Sequence, residues 1–438
     1  MKRFIFYPSI ICLKIILELF ILNNDYKKQF ECNQNRRLFW LHSNNFWDLT
    51  LKQKEEGMDI LKYTEKHRTF RERLRAFLAK EVTPYADEWE KNKIVPKSTW
   101  QKMGREGFLC YMLKPEYGGL GGDFLYSVIV SEEIVRTNQA GLTATLHSDI
   151  IVPYIDSFGS ESLKKKYLPR CASGDIITAV AMTEPDAGSD LASIKTTAVE
   201  DGNYVVINGS KTFISNGINC DLVIVAATDP KIENPYEAMS LYIIENGSPG
   251  FNKGQKLVKM GMHSQDTSEM FFNNCRVPVS NRLGEKGQGF LMLMQKLQQE
   301  RLVCSIGAVA AAEYLMEYLI DYCKTNTDIN GKPLSKFQAT QFKLVEMMTE
   351  VKLGKTFSDK LVVDHMEGQN IVVETSMCKY WTTDLVKQLA LDAMDIIGLS
   401  SLDYDHPITR MWRDVRIMSI FAGTNEIMKG IAGKFMGL

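Results

Sequence analysis

A chain of 438 residues, 45% hydrophobic and 24% charged, is long enough for two or three domains and too apolar to stay disordered. Its formal charge of -1, without any long block of like charges, argues against a nucleic-acid partner and for a small-molecule one. The nine cysteines (Cys12, Cys32, Cys110, Cys171, Cys220, Cys275, Cys304, Cys323 and Cys378) form no C-x-x-C pair, so they read as core fillers in a reducing compartment and suggest no metal site.

Residues 1–57 differ in character from the rest of the chain. The run from Phe4 to Leu22 approaches bilayer-spanning length, but Pro8, Lys14 and Glu18 interrupt it. Each central charge costs about 2.5–3.5 kcal/mol on insertion scales, so no firm membrane association is expected. The segment lacks a small-residue cleavage site and is too apolar for an Arg- and Ser-rich transit peptide. It reads as an N-terminal extension, either a targeting segment or residues ahead of a true start at Met58.

From Met58 the period is helical, with Phe70, Leu74, Phe77 and Leu78 on one face of an amphipathic helix. Four glycines between Glu116 and Asp123 mark an irregular connection. An N-terminal helical domain is expected over 58–175. Between 176 and 285 the period shortens to strands: "YVVI" leads to a hairpin signal at Asn208-Gly209, "DLVIVAAT" reads as a buried strand, and "MSLYIIE" and "EMFFNNCRVP" come after it. These predict a central, barrel-like β domain. Over 286–438 long helices return, at Phe290–Tyr322, Phe337–Met366, Ile371–Ile397 and a last one ending near Leu438, which predict a four-helix bundle. The fold class is α+β, and the crevice between domains is the natural ligand site.

Inside the first bundle helix, "LQQERLVC" sets Glu300 and Arg301 in an apolar run. A carboxylate there is either compensated or kept for chemistry. In "AMTEPDAGSD" (Ala181 to Asp190), Thr183, Gly188 and Ser189 supply donors in a turn that suits a polar ring edge or a phosphate, although a purely structural turn explains Pro185 and Gly188 equally well. With "NGSKTFISNG" (Asn208 to Gly217), "RVPVSNRLGEKGQGF" (Arg276 to Phe290) and "FAGTNEIMK" (Phe421 to Lys429), in that order and spacing, it resembles the acyl-CoA dehydrogenase family, from about Leu61 to Lys429.

The resemblance implies FAD held between the β domain and the C-terminal helices. It also implies oxidation of an acyl-CoA thioester to the trans-2-enoyl-CoA, electron transfer to an electron-transfer flavoprotein, and a homodimer or homotetramer. A mitochondrial matrix location follows from the resemblance, and a cytoplasmic one from a start at Met58. Met182 and Thr183 are implied at the flavin pyrimidine edge, Phe213, Ile214 and Ser215 along the ring near N5, and Ser189 at the CoA ester. Thr424, Asn425 and Glu426 match residues that meet the FAD pyrophosphate and adenosine, with Gln338 and Gly398 in the same pocket. Gln298, Arg301 and Gly423 align with the substrate side, while a helix-fixing salt bridge remains an equal reading of Arg301. Abstraction of the α-proton needs a carboxylate opposite the flavin. The common position for it is Ala422 here, so only its backbone amide is left to meet the thioester carbonyl. The base is expected instead at Glu300, in a "QER"-like string of the subset resembling long-chain and isovaleryl enzymes.

Two cofactor elements depart from the family. "TDING" puts Thr327 for the pyrophosphate-binding Arg and Asn330 for Phe, and "DIIGL" puts Asp395 for Gln and Leu399 for Gly. A lost bidentate cation and an added carboxylate both oppose phosphate binding. They support a competing expectation, a paralogue that binds FAD weakly and acts as a partner subunit or assembly protein. An acyl-CoA oxidase is a third reading, disfavoured by chain length.

Overall fold

The computed structural model describes residues 60–438, so the expectations for residues 1–57, for Met58 as a start, and for Cys12 and Cys32 lie outside the described residues. The helical pattern around Phe70 forms α1 (Glu65–Glu81), which buries Phe70, Leu74 and Leu78 and half-buries Phe77. Thr64 N–H donates to His67 Nδ1 at 3.1 Å and closes its first turn. Next come α2 (Ala86–Asn92), α3 (Lys97–Arg105), α4 (Leu125–Val135), a π-helical stretch (Leu146–Ile151), α5 (Val152–Phe158) and α6 (Glu161–Ala172). They enclose a core containing Trp100, Phe108, Tyr111, Ile129 and Tyr167.

The strands are β1 (Thr178–Ala181), β2 (Thr197–Asp201), β3 (Tyr204–Ile214), β4 (Leu222–Thr228), β5 (Met239–Glu245), β6 (Phe251–Lys256), β7 (Ser268–Pro278) and β8 (Arg282–Leu283), with a short α7 (Pro235–Ala238) before β5. The sheet runs β6-β7-β3-β2-β4-β5-β8, with β1 parallel to β4. It is open rather than closed into a barrel: β6 is one edge, and the two-residue β8, paired only with β5, is the other.

The hairpin expected at Asn208-Gly209 lies elsewhere. These residues sit inside β3, at a register irregularity against β7, while the turn falls at Gly202 and Asn203, between the paired Asp201 and Tyr204. Gly202 there has φ +61°. Glycine at 209 serves a close approach instead, because a Cβ would stand 2.5 Å from Thr196 Oγ1.

The bundle contains α8 (Gly289–Thr325), α9 (Gln338–Met366) and α10 (Val372–Ile397), close to the expected spans. Leu315 and Leu319 of α8 pack with Val351 of α9 and with Val386, Leu389 and Ala393 of α10. The expected last helix is instead two: α11 (Pro407–Val415) and α12 (Asn425–Phe435), divided by a 3-10 turn and by Ala422 and Gly423 at φ +55° and +86°. Two successive left-handed residues cannot continue a right-handed helix. All seven cysteines of the described residues are free and buried, as core fillers should be.

Candidate active site

Glu300 is carried by α8, and its Oε2 is buried with no hydrogen-bond partner. Burial pushes its carboxyl up from 4.5 to about 7, against the opposing charges of Arg301 and Lys379. The Tyr154 hydroxyl, also buried and unpartnered, is pushed up by burial and by the Glu300 charge. Arg301 points elsewhere: Nη1 donates to Ser376 Oγ at 3.3 Å and Nε has no partner. Among the described residues it forms no ion pair, so the salt-bridge reading of Arg301 is not what holds it.

The loop between α11 and α12 meets this helix through α10. Lys379, fully buried on α10, donates to Gly423 O at 2.6 Å and to Asn425 Oδ1 at 3.1 Å. Cys304 Sγ reaches Met418 O at 3.9 Å and ties α8 to the turn just before Ala422. Among the described residues nothing accepts from the Ala422 N–H, which leaves it available to a ligand. Thr424 caps α12, its Oγ1 accepting from Ile427 N at 3.2 Å, and Glu426 is exposed in the first turn.

Two expected ligand contacts are otherwise engaged. Asn425 is only 3% exposed; its Oδ1 accepts from Lys379 and Thr383 and its Nδ2 donates to Tyr380 O, so its side chain staples α12 to α10 and leaves only the backbone for a cofactor. The Gln298 amide accepts from Ile371 N at 3.0 Å and donates to Gln369 O at 3.2 Å. Two residues before Glu300 it lies about 200° around the helix, so it faces the α9–α10 connection and not the base.

On the β side, Met182 and Thr183 follow β1 half-buried, and Thr212 N donates to Thr183 O at 3.0 Å. Beneath them the buried Lys211 donates to Met182 O at 2.9 Å and to Glu184 Oε1 at 2.8 Å. Glu184 also accepts from the N–H groups of Lys195 and Thr196. This pair accounts for the structural half of the "TEPD" motif and was not singled out from sequence. Phe213 has φ +57° and is 68% exposed; Ile214 is buried, Ser215 half-buried, and Gly188 and Ser189 exposed. A π-helical clamp joins this shelf to α8: His147 Nδ1 bonds Thr178 Oγ1 at 2.7 Å, and Asp149 O accepts from Gln299 Nε2 at 2.5 Å. π-helical insertions recur at functional sites.

Gln338 and Gly398 are not gathered with these residues. Both are exposed, and Gly398 follows Ile397, whose carbonyl accepts from the Tyr322 hydroxyl at 3.4 Å. Tyr322 stands roughly 33 Å along α8 from Glu300 at about 1.5 Å per residue. The departures from the family pattern share that far end. Asp328 ties its own loop by accepting from Asn330 N and Lys332 N, and Leu399 is 83% exposed.

Lys379 was missed from sequence, yet a signal existed. It repeats at helical spacing with Thr375, Thr382, Val386 and Leu389, all buried, so a cation occupies a core position.

Comparison with known proteins identifies the family of all three segments. The acyl-CoA dehydrogenase N-terminal, middle and C-terminal domain models match residues 64–175, 179–275 and 287–437. The long-chain specific acyl-CoA dehydrogenase of Sus scrofa mitochondria is 40% identical over 85% of this chain and 86% of its own. Mitochondrial isovaleryl-CoA dehydrogenase of Pongo abelii is 32% identical over 85% and 88%. The crystal structure of an acyl-CoA dehydrogenase from Geobacillus kaustophilus superposes with a TM-score of 0.84 at 48% identity, covering 86% of this chain and 99% of that one. With an unpartnered acid on the first bundle helix, a polar shelf on the sheet and three matching domains, the chain belongs to the acyl-CoA dehydrogenase family.

Proposed function

We propose that Glu300 is the base of an FAD-dependent α,β-dehydrogenation of an acyl-CoA thioester, removing the α-proton. The observation that carries this reading is the buried, unpartnered Oε2 with its carboxyl pushed up to about 7, where an acid can take a proton at neutral pH. The free Ala422 N–H donates to the thioester carbonyl oxygen and stabilises the charge that develops there as the proton leaves. Gly423 and Arg301 bound the substrate beside it, and Ser189 meets the CoA ester.

The ring end of the site fits FAD. Phe213 is held in a left-handed conformation that costs roughly 1–2 kcal/mol, yet its side chain gains little packing, as suits a platform for a flat ring. Met182, Thr183, Ile214 and Ser215 complete that edge. Thr424 and Glu426, with the Asn425 backbone, meet the dinucleotide. Gln338 and Gly398 belong to the pocket of a neighbouring subunit in a homodimer or homotetramer, as their distance from Glu300 favours. Bound there, FAD would supply the acceptor for the hydride that leaves the substrate β-carbon. An electron-transfer flavoprotein is the acceptor, and the compartment is the mitochondrial matrix or the cytoplasm. The three-domain partition at 58–175, 176–285 and 286–438 belongs to the same proposal.

The deciding experiment is Glu300→Gln. Turnover of acyl-CoA should drop by roughly 10²–10⁴-fold while FAD content stays unchanged. Normal turnover would remove Glu300 from the role. A second reading, a weakly FAD-binding partner subunit, draws on the self-tied Asp328 loop and the exposed Leu399. Purified full-length chain that takes up no flavin from excess FAD would favour it.

A further inference from the structure

We propose that the buried Lys211–Glu184 pair is a positioning device for the flavin: it fixes the Met182–Thr183 peptide with its N–H turned toward the ring edge and polarises that donor from behind. This rests on the reading of Met182 and Thr183 as the flavin edge. Lys211 is wholly buried, Glu184 is 6% exposed, and the two meet at 2.8 Å. Lys211 Nζ also donates to Met182 O at 2.9 Å, and Thr212 N donates to Thr183 O at 3.0 Å, so consecutive residues of β3 hold consecutive carbonyls after β1. In a trans peptide the N–H points opposite to the C=O. The Thr183 N–H, which shares its peptide with Met182 O, is therefore aimed away from Lys211, and among the described residues it has no acceptor.

A structural tie alone does not call for a charge at this point. The turn is already closed by Glu184 N to Ala187 O at 2.9 Å and by Ala187 N to Glu184 O at 3.2 Å, and replacing a buried ion pair with apolar residues of the same volume is often neutral or stabilising. What the cation adds is electronic: a charge-assisted bond to Met182 O polarises the peptide and strengthens the donor at its other end. Glu184 keeps the charge in place, accepting as well from Lys195 N at 2.6 Å and Thr196 N at 2.9 Å. Burial draws the Lys211 ammonium down from 10.5 to about 8 against the pull of Glu184, so it remains charged at pH 7. The strand serves both sides of the shelf. Residues two apart on a regular strand share a face, yet Lys211 is buried and Phe213 is 68% exposed. The register irregularity between Lys211 and Ile214, with Phe213 at φ +57°, sends the cation behind the shelf and the aromatic ring in front of it.

One arm of the test reads the flavin midpoint potential of the full-length chain loaded with FAD. Reduction puts negative charge on the ring, so a weaker donor favours the oxidised form. Lys211→Met, which removes donor and charge, is expected to favour oxidised over reduced flavin by about ten-fold, a fall of about 30 mV for a two-electron couple. Glu184→Gln keeps the Lys211 bond to Met182 O and an acceptor for the Lys195 and Thr196 N–H groups, and should stay within about two-fold of the parent. A Lys211→Met potential equal to the parent's overturns the proposal, as does a Glu184→Gln fall as large as that of Lys211→Met, which a merely structural pair would give. If Lys211→Met fails to fold because Glu184 is left unpaired, the double variant Lys211→Met with Glu184→Gln replaces it with the same expectation, and failure of both to fold overturns the proposal. The second arm reads the peptide itself, by hydrogen–deuterium exchange at Thr183 without and with FAD. FAD should slow that exchange by about ten-fold in the parent and by less than about three-fold in Lys211→Met. Equal protection in the two overturns the proposal. Exchange unchanged by FAD in the parent removes the flavin edge from Met182 and Thr183 altogether, whereas slowed exchange there with an unmoved Lys211→Met potential removes only the role of the pair.

Discussion

At the scale of single residues, the acid on α8 has consequences in two pH windows. In its proposed role as base it must be ionised, so kcat/KM should fall as pH drops through about 7, which a pH profile of the purified enzyme will read. Its effect on folding has the opposite sign from that of an ordinary ion-paired carboxylate. The folded form holds a proton that the unfolded chain releases between 4.5 and about 7, so this group destabilises the fold progressively as pH rises across that interval. Glu300→Gln should therefore match the parent near pH 4.5 and exceed it by on the order of 2–3 kcal/mol at pH 8, measured by chemical denaturation. Equal stability differences at both pH values would contradict the burial that defines the site. Glu300 was legible in the sequence because a carboxylate in an apolar helical run breaks the expected pattern. Gln298 and Asn425 were not, because their partners, Ile371, Lys379, Thr383 and Tyr380, lie at least 42 positions away, and no local spacing announces them.

At the scale of elements, long periodic segments were read well and irregular ones poorly. α8, α9 and α10 were found within a few residues of their ends, since helical periodicity over many turns overwhelms local noise. By composition α8 is apolar enough to cross a membrane, and in the fold that apolarity is spent within the bundle core. The last helix ends near Leu438 as expected, but the break ahead of it was not legible, because nothing in "FAGTNE" declares that Ala422 adopts a left-handed conformation. The Asn-Gly pair in β3 misled for a different reason. Its glycine answers to Thr196 before β2, a contact that only the folded sheet creates. Gly209→Ala is accordingly expected to destabilise the chain by about 1–3 kcal/mol through overpacking, seen as a lowered Tm with little change in KM. An unchanged Tm would mean that β3 and Thr196 separate at negligible cost.

At the scale of the whole molecule, the order of helical, β and helical segments was legible from the change of period alone, and four separated motifs supplied the family. The openness of the sheet was not, since closure depends on edge pairing that strand patterns leave undetermined. On the proposal that Gln338 and Gly398 serve the cofactor pocket of a neighbouring subunit, flavin retention depends on assembly. Dilution that splits the oligomer should release FAD over the same concentration range, so flavin fluorescence and sedimentation should change together. Flavin held tightly by isolated subunits would place the whole dinucleotide pocket within one chain.

Because Glu300, the proposed proton acceptor, is mounted on one uninterrupted rod of 37 residues, its backbone cannot step aside for a bulkier acyl tail. Any retuning toward longer or branched tails must come from the walls around it, such as the short α5 that carries Tyr154. Swapping residues there should alter which tails are admitted while the acid's own titration stays put.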